Sequence, residues 1–172
     1  SECLVGSEMC IRDRTKELTT DGNYSFSGPK YESKGKNLYY NDESKDVRVT
    51  EGYLFDKSKN QRLKGEKIAY NTATEDSSVM GKAYMEDGKY SLASESIIYT
   101  GLDKNAKING NYIVKELNGK TKFQGKDAIY NQENGNFLSS GAVELQSKDY
   151  IAKGSNLIYN TKTGLGKLES NI

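Results

Sequence analysis

Five near-copies of one heptad recur along this chain, and that recurrence constrains the fold more than any bulk property. They read GKNLYYN at 35–41, GEKIAYN at 65–71, SESIIYT at 94–100, GKDAIYN at 125–131 and GSNLIYN at 154–160. Their tyrosines, Tyr40, Tyr70, Tyr99, Tyr130 and Tyr159, lie 29 to 31 residues apart. A fixed period of this size marks a repeat architecture, in which each unit buries its apolar face against its neighbours. Each unit holds two turn zones. One follows the heptad (NDESKD, NTATED, TGLDKN, NQENGN, NTKTG) and the other sits mid-repeat (DKSKNQ, EDGKY, LNGKT, QSKDY). Asp87-Gly88 and Asn118-Gly119 are hairpin signals, because both residue types tolerate the positive φ of a type I′ turn.

Between the turns, apolar side chains alternate with period two, the mark of a strand with one face buried. Val47, Val49, Tyr53 and Phe55 share one parity, as do Val79, Ala83 and Met85, then Ala106, Ile108, Tyr112 and Val114, then Phe137, Val143 and Leu145. Gly81, Gly110 and Gly141 fall on that inward parity at mid-strand, where a glycine permits a sharp bend. The first unit departs from this, with Glu51 inward and Gly52 beside it. The second segment of each unit slips by one residue. Leu63 is out of phase with Ile68 and Tyr70, Leu92 with Ile97 and Tyr99, Phe123 with Ala128 and Tyr130, and Ala152 with Leu157 and Tyr159. One extra residue at a small-residue hinge describes a β-bulge. Helical spacing is missing, glycine interrupts the chain throughout, and residues 23–172 read as β.

Bent antiparallel hairpins placed side by side predict an all-β, V-shaped body of two sheets, with the inward residues between them. At about 4.8 Å per strand, four and a half units span about 40–45 Å, with unpaired strand edges at both ends. The interior is expected to hold Tyr40, Tyr53, Tyr70, Tyr90, Tyr99, Tyr112, Tyr130, Tyr150 and Tyr159. Tyrosine favours strands, so a stacked ladder with no further task is one reading. Sealed phenols each need a hydrogen-bond partner, however, and a groove open along one side would keep their hydroxyls wet.

Composition narrows the function classes. The 172 residues carry 25 Lys+Arg and 24 Asp+Glu, a net charge of +1 with both signs interspersed, so no basic face for nucleic acid is present. No apolar run approaches the roughly 20 residues of a membrane helix. With no histidine, His-based triads and His metal sites are excluded. NGKT at 118–121 resembles the end of a phosphate loop but has Val114 where the first glycine belongs, and DKNAKING at 103–110 lacks a calcium loop's closing glutamate, since Val114 stands there. No catalytic residue, metal site or cofactor is expected. Asn23-Tyr24-Ser25 matches a glycosylation sequon, a pattern common by chance. Residues 1–14, SECLVGSEMCIRDR, lack the alternation and resemble a translated sequencing-adapter string. They are read as a non-native leader, so Cys3 and Cys10 within them carry no redox inference, and residues 15–172 are read as one domain.

The G-x-x-I-x-Y-N heptads, each followed by a turn, an inward glycine and G-x-[AYV]-x-[VML], resemble the OstA-like/LptA family of lipopolysaccharide-transport proteins, over about residues 23–172. The resemblance implies a twisted antiparallel β-jelly roll stacking end to end in the periplasm of a Gram-negative bacterium. It would carry the acyl chains of lipopolysaccharide toward the outer membrane, with LptC-like and LptD-like jelly-roll domains and copies of itself as partners. The lipid-contacting residues expected are Leu38, Tyr40, Phe55, Leu63, Ile68, Tyr70, Met85, Leu92, Ile97, Tyr99, Val114, Phe123, Tyr130, Val143, Leu145, Leu157 and Tyr159. Two other readings compete: a structural β-repeat of a surface stalk or adhesin with a dry core, and, with less support, an enzyme on a β-scaffold such as a polysaccharide lyase. Bends and parity slips in every unit favour the carrier, since a straight stalk has no use for them.

Overall fold

The computed structural model describes residues 2–4, 9–12 and 16–170, with side chains described from residue 16 onward. Every regular element among them is a strand: β1 (Glu2–Leu4), β2 (Met9–Arg12), β3 (Glu17–Thr20), β4 (Tyr24–Ser27), β5 (Tyr31–Gly35), β6 (Asn37–Asn41), β7 (Asp46–Asp56), β8 (Gln61–Asn71), β9 (Ser77–Glu86), β10 (Tyr90–Thr100), β11 (Asn105–Glu116), β12 (Thr121–Asn131), β13 (Asn136–Ser147), β14 (Ile151–Asn160) and β15 (Gly166–Glu169). They pair antiparallel in the order β1-β2-β3-β6-β7 and then consecutively to β15, while the β4–β5 hairpin joins the second half of β7. The side chains of Cys3 and Cys10 lie outside the described residues.

The predicted slips are present as register shifts at mid-strand, between Lys64 and Lys67, Ala93 and Ser96, Gln124 and Ile129, and Ser139 and Ala142. They fold the sheet along one line into two facing layers. Phe123 shows this. It lies opposite Leu145, which lies opposite Ala152, seven residues from Tyr159 along β14. A flat sheet would hold those rings more than about 20 Å apart, yet Phe123 and Tyr159 have centroids 5.1 Å apart, and Phe123 and Phe137 are at 5.0 Å. The half-strands ending at the heptad turns form layer A, and those ending at the mid-repeat turns form layer B. The chain is therefore an antiparallel β-jelly roll built from hairpin repeats of about 30 residues.

The heptad's closing asparagine explains itself at the layer A turns. Asn71 Oδ1 accepts the backbone N–H of Ala73 and Thr74 at 2.9 Å, and Asn160 Oδ1 does the same for Lys162 and Thr163 at 2.9 and 3.0 Å. The amide end then donates to the preceding turn, from Asn71 to Ser44 O and Asp46 Oδ1, from Asn131 to Asn105 Oδ1, and from Asn160 to Asn134 O and Asn136 Oδ1. One side chain thus caps its own turn and ties it to the turn one unit back. Thr100 replaces asparagine in the third heptad, and there the Gly101 N–H turns to Asp76 Oδ1 at 2.8 Å.

Two expectations are corrected. Tyr53 and Phe55 were placed inward, but Leu54 and Asp56 are the buried pair. Glu51 adopts φ 44° and slips the parity of β7, where the alternation implied no slip, so Phe55 turns to the outer face beneath the Arg62 guanidinium, 4.4 Å from the ring centroid. The turns at Asp87-Gly88 and Asn118-Gly119 are not type I′, because only the glycines take positive φ, 91° and 78°. The Asp87 carboxylate instead accepts the N–H groups of Lys89 and Tyr90, and Asn118 Oδ1 that of Lys120.

Candidate functional site

The space between the layers is the feature to which every unit contributes. Leu38, Leu63, Ile68, Tyr70, Leu92, Ile97, Tyr99, Val114, Phe123, Val143, Leu157 and Tyr159 are buried there in one continuous core, and Tyr40, Met85, Tyr130 and Leu145 pack against it half-buried. Phe55 stands apart on the outer face. Tyr150, expected inside, is 57% exposed at a turn of layer B. The core also takes in Tyr24, Tyr31 and Leu54, which the sequence reasoning missed. Tyr24 and Tyr31 precede the first heptad and lie outside its period, and Leu54 was hidden by the slip at Glu51.

The phenols share an orientation. Each heptad tyrosine stands at the end of its strand, so its hydroxyl reaches the turns along one long edge, the mouth between the layers. Tyr99 Oη donates to Gln132 Oε1 at 2.8 Å, and Tyr130 Oη lies 3.3 Å from Thr161 Oγ1, each reaching the residue after the next heptad. Gly101 holds that position ahead of Tyr70, which bonds across the mouth to Asp56 Oδ2 at 3.4 Å. Tyr90 of layer B meets Tyr159 of layer A, hydroxyl to hydroxyl, at 3.1 Å. Burial pushes the Tyr70 and Tyr90 phenols far above their ordinary range, and those of Tyr99 and Tyr130 upward too. The phenols are therefore neutral, and the lining is apolar in body and hydroxylic at one edge, where the buried Asp56 carboxylate also stands. The Tyr112 hydroxyl is buried at the hinge, against Gly125 and beside Ser139, and burial raises its pKa more than Ser139 offsets.

The expected open groove is closed in this structure. A residual cavity of about 40 Å³ lies among Met85, Tyr90, Phe123, Tyr130, Phe137 and Thr161, about the room of one water molecule. The mouth above it is bridged. Lys59 on a layer B turn pairs with Glu75 on a layer A turn, and Lys89 Nζ donates to Thr161 O at 2.8 Å. Among the described residues no cluster of His, Cys, Asp or Glu is placed to hold a metal ion.

Two-layer jelly rolls of this kind are the class the geometry defines. No family model matches the chain, and no curated protein matches it. Among solved structures it is similar to LptH from Pseudomonas aeruginosa, described as the LptA homologous periplasmic component of the conserved lipopolysaccharide transport device. The two share 12% identity and a TM-score of 0.48 over 73% of this chain and 82% of that one.

Proposed function

We propose that the chain is a lipid-carrying module of a lipopolysaccharide-transport bridge, holding acyl chains between its two layers. The observation that carries this reading is the interior itself: apolar walls running through all the stacked hairpins, with their phenol hydroxyls gathered at one mouth. The walls would hold alkyl tails at roughly 25 cal/mol per Å² of apolar area removed from water, and the hydroxyl edge would sit beside the polar head. The heptads' resemblance to the OstA-like/LptA family points the same way. On this reading the protein acts in the periplasm of a Gram-negative bacterium and is not an enzyme. It joins LptC-like and LptD-like jelly-roll domains, and copies of itself, through its terminal strands. Residues Ile151–Lys153 of β14 pair with β13 alone among the described residues, because β15 covers only the later part of β14.

A photo-crosslinking residue at Tyr130, with lipopolysaccharide, tests it against the same probe at Ile129, the adjacent residue on the outer face. Adducts at Tyr130 and few at Ile129 are expected; adducts confined to Ile129 overturn the proposal. The filled interior favours a second reading, a structural β-repeat that binds no lipid, for which neither position labels and lipid leaves Tm unchanged.

A further inference from the structure

The contacts that close the mouth are not spread evenly along it. Among the described residues they form two stations. At the first, Lys59 and Asp56 of a layer B turn reach Glu75 and Tyr70 of layer A. At the second, Lys89 and Tyr90 of the next layer B turn reach Thr161 and Tyr159. Each station combines one lysine contact with a phenol contact. The phenol contact belongs to the core edge, whereas the lysine contact ties the rims. Lys59 and Glu75 are partly shielded, with side-chain exposures of 24% and 32%, so their attraction is less screened than that of a surface pair. With a cavity of only about 40 Å³ beneath the second station, no alkyl chain fits there until the rims part.

We propose that Lys59 and Lys89 form a two-point latch on the mouth, and that an amphiphile with an anionic head group releases it by taking the two ammonium groups from Glu75 and the Thr161 carbonyl. The proposal rests on the trough reading for its ligand but not for its mechanics. An ammonium group prefers a phosphate or carboxylate to a backbone carbonyl, since an ionised acceptor makes a markedly stronger hydrogen bond, so Lys89 gains by leaving Thr161 O, while Lys59 exchanges the Glu75 carboxylate for another anion. A head seated at the rim also places its tail at the parting line of the layers. The rest of the interior needs no rearrangement of pairing, because the layers are joined covalently only through the bulged hinge opposite the mouth.

The test reads the width of the mouth directly. In a chain with Cys3 and Cys10 replaced by serine, spin labels are placed at Ser58→Cys and Ala73→Cys, exposed turn positions on opposite rims, and their separation is measured by pulsed dipolar spectroscopy. Without ligand, the Lys59→Gln/Lys89→Gln chain is expected to show a broader distribution, longer by several ångströms, with far-UV circular dichroism matching the parent. A distribution superposing on the parent's overturns the latch, whatever the crosslinking result at Tyr130. Dodecyl phosphate, below its micelle concentration, is expected to widen the parent's mouth at a concentration up to about fivefold lower than dodecyl maltoside does, the gain that one new, partly screened ion contact at Lys89 provides. The titration of the Lys59→Gln/Lys89→Gln chain must differ from that of the labelled parent: in the Gln/Gln chain that preference disappears. Equal potency of the two amphiphiles on the parent overturns the head-group role.

Discussion

Ile97 and Ile98 are neighbours in the chain with opposite fates, one 2% exposed between the layers and the other 39% exposed on the outer face. Replacing Ile97 with alanine leaves a hole in packed surroundings and is expected to cost about 2–5 kcal/mol, whereas Ile98→Ala is expected to stay within about 1 kcal/mol. Urea unfolding of both variants checks this, and comparable losses would mean that the parity of β10 is misassigned. That parity was legible in the sequence, because Leu92, Ile97 and Tyr99 change phase across a small-residue hinge. Phe55 was not legible. Its slip comes from a single backbone conformation at Glu51, a residue type that carries no signal for positive φ. Nor was Tyr150, whose ring lies in a turn where alternation no longer constrains direction.

At the scale of the element, the hinge decides whether a strand serves one layer or both. Gly110 shows what the bend asks of a residue: its φ is 82°, and a Cβ there would meet the Glu95 carboxyl at 2.3 Å. Gly141 occupies the matching place in β13 without positive φ, and a Cβ on it would meet nothing nearer than Lys126 O at 3.8 Å. Gly110→Ala is therefore expected to lower stability by about 1–2 kcal/mol, the steric cost of the left-handed region for an L-residue, with Glu95 able to swing aside. Gly141→Ala is expected to be neutral or slightly stabilising. Thermal unfolding of the two variants separates these outcomes, and equal shifts would place the bend elsewhere. The sequence put these glycines on one inward parity and so located the bend, but Gly110 is buried while Gly141 is exposed, and the pattern could not tell which of them was conformationally required. It was also silent on why each heptad ends in asparagine, because the bonds that answer the question run between turns one unit apart.

Across the whole molecule, the folding of one layer onto the other converts a linear repeat into a cooperative body. Tyr90 and Tyr159 touch across 69 residues, and Lys89 reaches Thr161 across 72, so the second unit and the last are held together directly. A one-dimensional stack, with contacts only between neighbouring repeats, would fray from its ends. Two layers that share one core should lose it together. The buried phenols supply a probe. Burial raises the pKa of Tyr70, Tyr90, Tyr99, Tyr112 and Tyr130 above the ordinary value of 10.0. In the unfolded chain these groups ionise near that value. Below about pH 10 both states keep the protons, and the phenols impose no pH dependence. Above it the unfolded chain sheds protons that the folded chain retains, so stability falls as pH rises. Absorbance at 295 nm is therefore expected to rise for these tyrosines in one step above pH 10, coincident with the loss of far-UV circular dichroism. Smooth ionisation near pH 10 with the dichroism unchanged would mean that hydroxide reaches the interior of the folded protein, and that the mouth stands open without any ligand to part it.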